Sequence, residues 1–168
     1  MGQPADEVPA VPRRALTDPI DLQIATALVA NGRSTLRELS EVTGLSVSAV
    51  QSRVRRLETE GVIRGYTALV DAGAIGLPLA ALISITPLDP AQPDDAPERL
   101  AGLSEIEACH SVAGEDAYVL FVRVESPSAL EALIREIRRL ANVSTRTTVV
   151  LQTFFERPPV PRQSTEEP

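Results

Sequence analysis

Residues 34–65, STLRELSEVTGLSVSAVQSRVRRLETEGVIRG, constrain this chain more than any other stretch. Thr35 is placed to cap a helix, and Glu38 three residues on completes a capping box. Leu36, Leu39 and Val42 follow at helical spacing, and Gly44 suits a left-handed C-terminal cap. Leu45 fills the turn and Ser46 caps a second helix. On that helix Val47, Val50, Val54 and Leu57 form one apolar stripe. The opposite face gathers Ser48, Ser52, Arg55, Arg56 and Thr59, with Gln51 and Arg53 on its flanks. Two short capped helices joined by a Gly-containing turn, the second bearing arginines, are what a DNA-reading helix-turn-helix requires.

The side chains suit that task. Ser and Gln match base edges, and Arg pairs with guanine or phosphate. Ser46, Ser48, Ala49, Gln51 and Ser52 are therefore expected to face bases, and Arg53, Arg55 and Arg56 to grip the backbone. A solvated helix face, partly neutralised by Glu58 and Glu60, would look similar in charge alone. The turn Gly44-Leu45-Ser46 separates the two readings. An upstream helix adds to it: Asp18 caps, Pro19 sits where its missing N–H is harmless, and Ile20, Ile24, Leu28 and Val29 supply an apolar face. Gly61 stops the second helix, and residues 62–70 alternate like a strand. Three helices before a strand predict a winged helix-turn-helix domain over residues 17–65.

The charge of the whole chain is −7, which argues against indiscriminate coating of DNA. Residues 33–65 nonetheless hold six Arg against four Glu, so the acidic excess lies elsewhere. Aromatic residues make up 3% of the 168, with no Trp, which demands an aliphatic core. The single cysteine, Cys109, excludes an internal disulfide framework and a Cys-rich zinc site. It reads as a small buried residue. Cys109 and His110, adjacent on a strand, point to opposite faces and do not form a catalytic pair. No catalytic residue, metal site or cofactor is expected. No apolar run reaches membrane-span length and no secretion signal precedes the domain, so a cytoplasmic, nucleoid-associated protein is expected. The Pro-rich ends, residues 1–16 and 157–168, read as disordered tails.

After a linker strand over residues 66–78, the pattern changes. Strands are predicted at 79–86, 105–112, 118–124 and 145–155. Helices are predicted from Asp94 or Asp95 through Leu100 and Leu103, and from Ser126-Pro127 through Leu130, Leu133, Ile134, Ile137 and Leu140. The order βαββαβ over residues 79–156 gives a ferredoxin-like α+β domain, a four-stranded antiparallel sheet with both helices on one face. Its other face is not polar. Val119 and Phe121 oppose Tyr118, Leu120, Val122 and Val124, and Val150 and Phe154 oppose Val149, Leu151 and Phe155. A second apolar face on this scale predicts a sheet-to-sheet homodimer. Paired helix-turn-helix units would then read pseudo-palindromic double-stranded sites.

Three segments, NGRSTLRELSEVTGLSVSAVQSRVRRLETEGVIRGYTALVD, CHSVAGEDAYVLFVRV and STRTTVVL, resemble the Lrp/AsnC family of leucine-responsive, feast/famine transcriptional regulators. The resemblance spans residues 17–155. It implies a sequence-specific DNA-binding regulator, a recognition helix at residues 46–58, and dimers assembling to octamers through the βαββαβ (RAM) domain. It also implies an amino acid or related metabolite bound at the interface of those domains, altering assembly or DNA affinity. By the same resemblance the effector pocket falls on Ser111, the turn Gly114, Glu115 and Asp116, Tyr118, and the facing Thr145 and Thr147. The family commonly has Asp just before that aromatic. Here the position is Ala117, so Asp116 or Glu115 supplies the charge or the ligand differs. The alternatives are an architectural DNA-wrapping protein with low sequence preference, a siroheme decarboxylase-like enzyme on the same two-domain plan, and a stand-alone metabolite sensor.

Overall fold

The structure, a computed structural model, describes residues 16–159. Most of the two expected disordered tails therefore lies outside the described residues. The described chain divides into two compact units, residues 16–69 with 155–159, and residues 70–154.

The first unit is built on α1 (Pro19–Ala30), α2 (Leu36–Thr43) and α3 (Val47–Thr59). Each helix starts on a side-chain cap. Asp18 accepts from the backbone N–H of Ile20 at 2.8 Å and of Asp21 at 3.3 Å. Thr35 and Glu38 form the reciprocal capping box, and Ser46 accepts from the Ala49 N–H. Gly44 ends α2 at φ 70°, in the left-handed region where a Cβ would be strained. Ile24, Leu39, Val50 and Leu57 are fully enclosed, flanked by Ile20, Leu28, Leu36, Leu45, Val54 and Ile63.

Three residues assigned to the apolar stripes are exposed instead: Val29, Val42 and Val47. Each sits in a terminal turn, where the helix has run past its neighbours. The alternating segment 62–70 forms no strand, and neither does the expected linker strand 66–78. The N–H groups of Val62 and Ile63 instead bond back to the Leu57 carbonyl, at 2.9 and 3.1 Å. Leu69 is 94% exposed. Alternation supplies a strand's side-chain pattern, but pairing needs a neighbouring backbone, and this segment has none within the described chain.

The second unit runs β1 (Leu79–Pro87), α4 (Ala96–Leu100), β2 (Ile106–Ser111), β3 (Tyr118–Val124), α5 (Pro127–Ala141) and β4 (Val143–Val150). This is the expected βαββαβ order. The strands lie β2-β3-β1-β4, with every neighbouring pair antiparallel. Ala81, Ile83, Ile85, Leu120, Val122 and Val124 cover one sheet face and meet Leu100, Leu130, Leu133 and Ile137 of the helices. Ser126 caps α5, and Asn142 ends it at φ 53°.

The expectation for β4 needs correction at both ends. It begins at Val143, not 145, and ends at Val150, not 155. β1 offers partners only as far as Ala80, which pairs with Val150. Beyond that, Leu151, Phe154 and Phe155 are exposed and belong to no sheet face. The sheet face away from the helices is apolar mainly at its centre, where Leu82 stands opposite Phe121. Its β4 edge carries Ser144, Arg146 and Thr148 before Val150.

Candidate nucleic-acid interface and ligand turn

The outer face of α3 is solvent-facing as expected. Ser46, Ser48, Gln51, Ser52, Arg55 and Arg56 are exposed, while Ala49 and Arg53 are half-buried. Ser46 and Ser48 hydroxyls lie 3.2 Å apart at the start of the helix. The three arginines are not equivalent. The Arg55 guanidinium has no side-chain partner among the described residues. Arg53 Nη1 donates to Asp18 at 2.8 Å and to Asp21 at 2.7 Å. Arg56 Nη2 donates to the other oxygen of Asp21, and its Nε lies 4.0 Å from Glu60. The hydrogen bond from Arg53, helped by the two backbone N–H groups, holds the Asp18 carboxyl below the usual carboxylate range.

Asp21 was not singled out by the sequence. It sits in the first turn of α1, where an acid is ordinarily explained by the helix dipole. Its partners lie 32 and 35 residues away, on a helix read for its outward chemistry. No spacing rule links those positions.

The turn at residues 112–117 closes the β2–β3 hairpin, with Val112 N–H bonded to the Ala117 carbonyl at 3.1 Å. A Cβ on Gly114 would meet nothing within 4 Å. The turn is therefore open to close approach at that position. Its two acids differ. Asp116 accepts from Arg146 at 2.5 Å and from the Thr86 hydroxyl at 3.4 Å, so its charge is already matched. Glu115 is exposed and has no side-chain partner among the described residues.

Ser111, Tyr118 and Thr145 share one row across the end of the sheet: Ser111 pairs with Tyr118, which pairs with Ile85, which pairs with Thr145. Thr147 lies two residues further along β4, opposite Ile83. Tyr118 is buried, and its hydroxyl donates to Asp94. That bond, with burial, pushes the phenol up to about 12. Thr145 accepts from Arg138 Nε at 2.8 Å. The structure thus places Ser111, Tyr118 and Thr145 in one row across the sheet, Ser111 and Thr145 on its opposite edge strands, with Thr147 nearer the middle of β4. It also shows Tyr118, Thr145 and Asp116 engaged within the chain.

Cys109 is exposed rather than buried, because β2 is an edge strand. Among the described residues no group of three or more His, Cys, Asp or Glu gathers to hold a metal ion. No described helix is long and apolar enough to cross a membrane.

Comparison with known proteins follows the same division of the chain. Residues 17–64 match a sequence profile for winged helix-turn-helix DNA-binding domains, and residues 80–160 match the Lrp/AsnC ligand binding domain. The HTH-type transcriptional regulator LrpA of Mycobacterium tuberculosis is 57% identical over 138 residues, covering 82% of this chain and 92% of the relative. The leucine-responsive regulatory protein of Escherichia coli K12 is 39% identical, covering 80% and 85%. A feast or famine regulatory protein of M. tuberculosis, solved in complex with L-methionine, superposes with a TM-score of 0.83 at 56% identity, covering 86% of this chain and 99% of that one.

Proposed function

This chain belongs to the Lrp/AsnC family of DNA-binding transcriptional regulators, and from that premise we propose which residues read DNA and which respond to an effector. The N-terminal half of α3, with Ser46, Ser48, Ala49, Gln51 and Ser52, reads base edges in the major groove. Arg55 anchors the backbone. The observation that carries this reading is the outer face of α3, where the Arg55 guanidinium stands without a side-chain partner among the described residues, beside four exposed hydroxyl and amide side chains. Arg53 and Arg56 reach the backbone from fixed positions.

The second unit takes an amino acid, and a relative's complex with L-methionine supports that class. The ligand turn, Gly114 to Asp116, leads into Tyr118, whose row holds Ser111 and Thr145, and the pocket extends along β4 to Thr147. Gly114 leaves room for close approach, and Glu115 is the acid free to pair with an ammonium, since Asp116 is held by Arg146. Two copies join through the apolar centre of the open sheet face, around Leu82, Val119 and Phe121, and read pseudo-palindromic double-stranded sites. Further assembly to an octamer would place ligand turns at subunit interfaces. The role is regulatory rather than catalytic, and its place is with the nucleoid in the cytoplasm.

Fluorescence anisotropy on the duplex upstream of its own coding region tests this. Arg55→Ala is expected to weaken specific and random DNA alike and to make the log–log salt slope shallower by about 0.9, one phosphate's worth. Gln51→Ala is expected to change sequence preference instead. Equal losses on specific and random duplex from Gln51→Ala would remove the base-reading role. L-methionine or a pool of amino acids should shift the curve for wild type and not for Glu115→Gln.

A further inference from the structure

Among the described residues Asp21 is the one charged side chain that is buried, at 2% exposure. A buried carboxylate costs stability unless it is paired, and an apolar side chain often serves a small core as well or better. Its partners are therefore informative. Both oxygens are taken by the recognition helix: Oδ1 accepts from Arg53 Nη1 at 2.7 Å, and Oδ2 accepts from Arg56 Nη2. Asp18, the cap of the same helix, accepts from Arg53 Nη1 with its Oδ2 while its Oδ1 is bonded to the α1 backbone. The first turn of α1 thus grips two arginines one turn apart on α3.

Neither arginine is sealed in. The side chains of Arg53 and Arg56 remain 28% and 47% exposed. Each guanidinium presents five N–H donors in a rigid plane, and here the carboxylate hydrogen bonds use a single nitrogen of each. Fixing one edge of a planar fork fixes the direction of the rest. A free arginine would lose rotamer freedom on meeting a phosphate, whereas a held one has lost it already.

We propose that Asp21 is a positioning residue for DNA binding: it orients Arg53 and Arg56 so that their remaining N–H groups meet backbone phosphates. This rests on the reading of α3 as the DNA face. It goes beyond that reading by assigning a role to an acid that touches no DNA. The sign of its effect is diagnostic. Removing a negative charge near a polyanion should by charge alone tighten binding. Removing a positioning carboxylate should weaken it.

The test uses the full chain and the upstream duplex, with anisotropy titrations across a KCl series. Wild type, Arg55→Ala, Asp21→Asn and Ile24→Val are compared, with thermal melts to confirm folding. Asp21→Asn is expected to lose about tenfold in affinity and to make the salt slope shallower by about one to two phosphates. Ile24→Val, which loosens the same helix contact without touching the arginines, should leave the slope at its wild-type value. Unchanged or tighter binding by Asp21→Asn overturns the proposal, and so does weaker binding with an unchanged slope. If Asp21→Asn fails to fold, Arg53→Lys and Arg56→Lys decide. Both keep the charge but lose the fork, and both should weaken binding; wild-type affinity in the two would overturn the proposal. A silent Arg55→Ala would instead show that α3 is not the DNA face, a separate failure.

Discussion

The helical unit closes over four enclosed aliphatic side chains, Ile24, Leu39, Val50 and Leu57, and ties α1 to α3 with a buried carboxylate and two arginines. The sheet unit packs fourteen buried residues into one core cluster, all apolar but for the Tyr118 hydroxyl. The first unit leaves the polar face of α3 exposed, and part of its cohesion comes from helix caps and from ion pairs to that helix. The second gains its cohesion from aliphatic burial between sheet and helices. The lesson is that the two should fail under different insults.

The largest effect is expected in the sheet. Leu120→Ala opens a cavity beneath a fully enclosed position, at a cost of about 3 kcal/mol. Urea unfolding followed by hydrogen exchange should place that loss in residues 79–150 and leave α1 to α3 protected. Loss spread equally over both units would mean that they unfold as one. A smaller effect belongs to the helices. Thr35→Ala removes the hydroxyl half of the capping box, leaving only the bond from the backbone N–H of residue 35 to Glu38, and should lower the stability of the helical unit by about 1 kcal/mol. The same exchange experiment should show it in residues 36–43 first.

The finest distinction is in pH. Tyr118 is protonated and bonded to Asp94 in the fold, with its phenol raised from the usual value near 10 to about 12. A group whose folded value is raised gives stability that is complete below the unfolded value and lost as pH rises. The sheet unit should therefore weaken between about pH 10 and 12, and Tyr118→Phe should flatten that decline. Asp18 works in the opposite sense. Its carboxyl is lowered by Arg53, so its contribution to the helical unit is present above the ordinary carboxylate range and lost in acid. Circular dichroism at the two pH extremes reads both. A decline of the same unit at both ends would break the contrast.

Local chemistry made most of the fold legible. The caps at Asp18, Thr35, Ser46 and Ser126 fixed four helix starts, because an N-cap is a short-range hydrogen bond written in adjacent residues. β3 and α5 fell where alternation and helical spacing put them. The misplacements share one cause. Val42 and Val47 fit their stripes but sit where a helix outruns its partners. Residues 62–70 and 151–155 alternate like strands, yet a strand exists only where another backbone pairs with it. At the candidate sites, the outward residues of α3 were legible because their neighbours are on the same helix. The engagement of Asp116 with Arg146, and of Tyr118 with Asp94, was not.

The sequence by itself determined the three helices of the first unit, the βαββαβ order of the second, the family, and the helix whose outer face carries exposed serines and arginines. Each follows from residues close together in the chain, where spacing, capping and side-chain type act through a few bonds. Tertiary structure alone decided which arginines are free and which are held. It also decided which acid of the β2–β3 turn is paired within the described chain, and that one buried aspartate joins the first helix to the third. Those outcomes depend on groups 30 or more residues apart meeting within hydrogen-bond distance, for Asp116 and Arg146 as for Asp21 and Arg53. Only the packed fold sets such meetings.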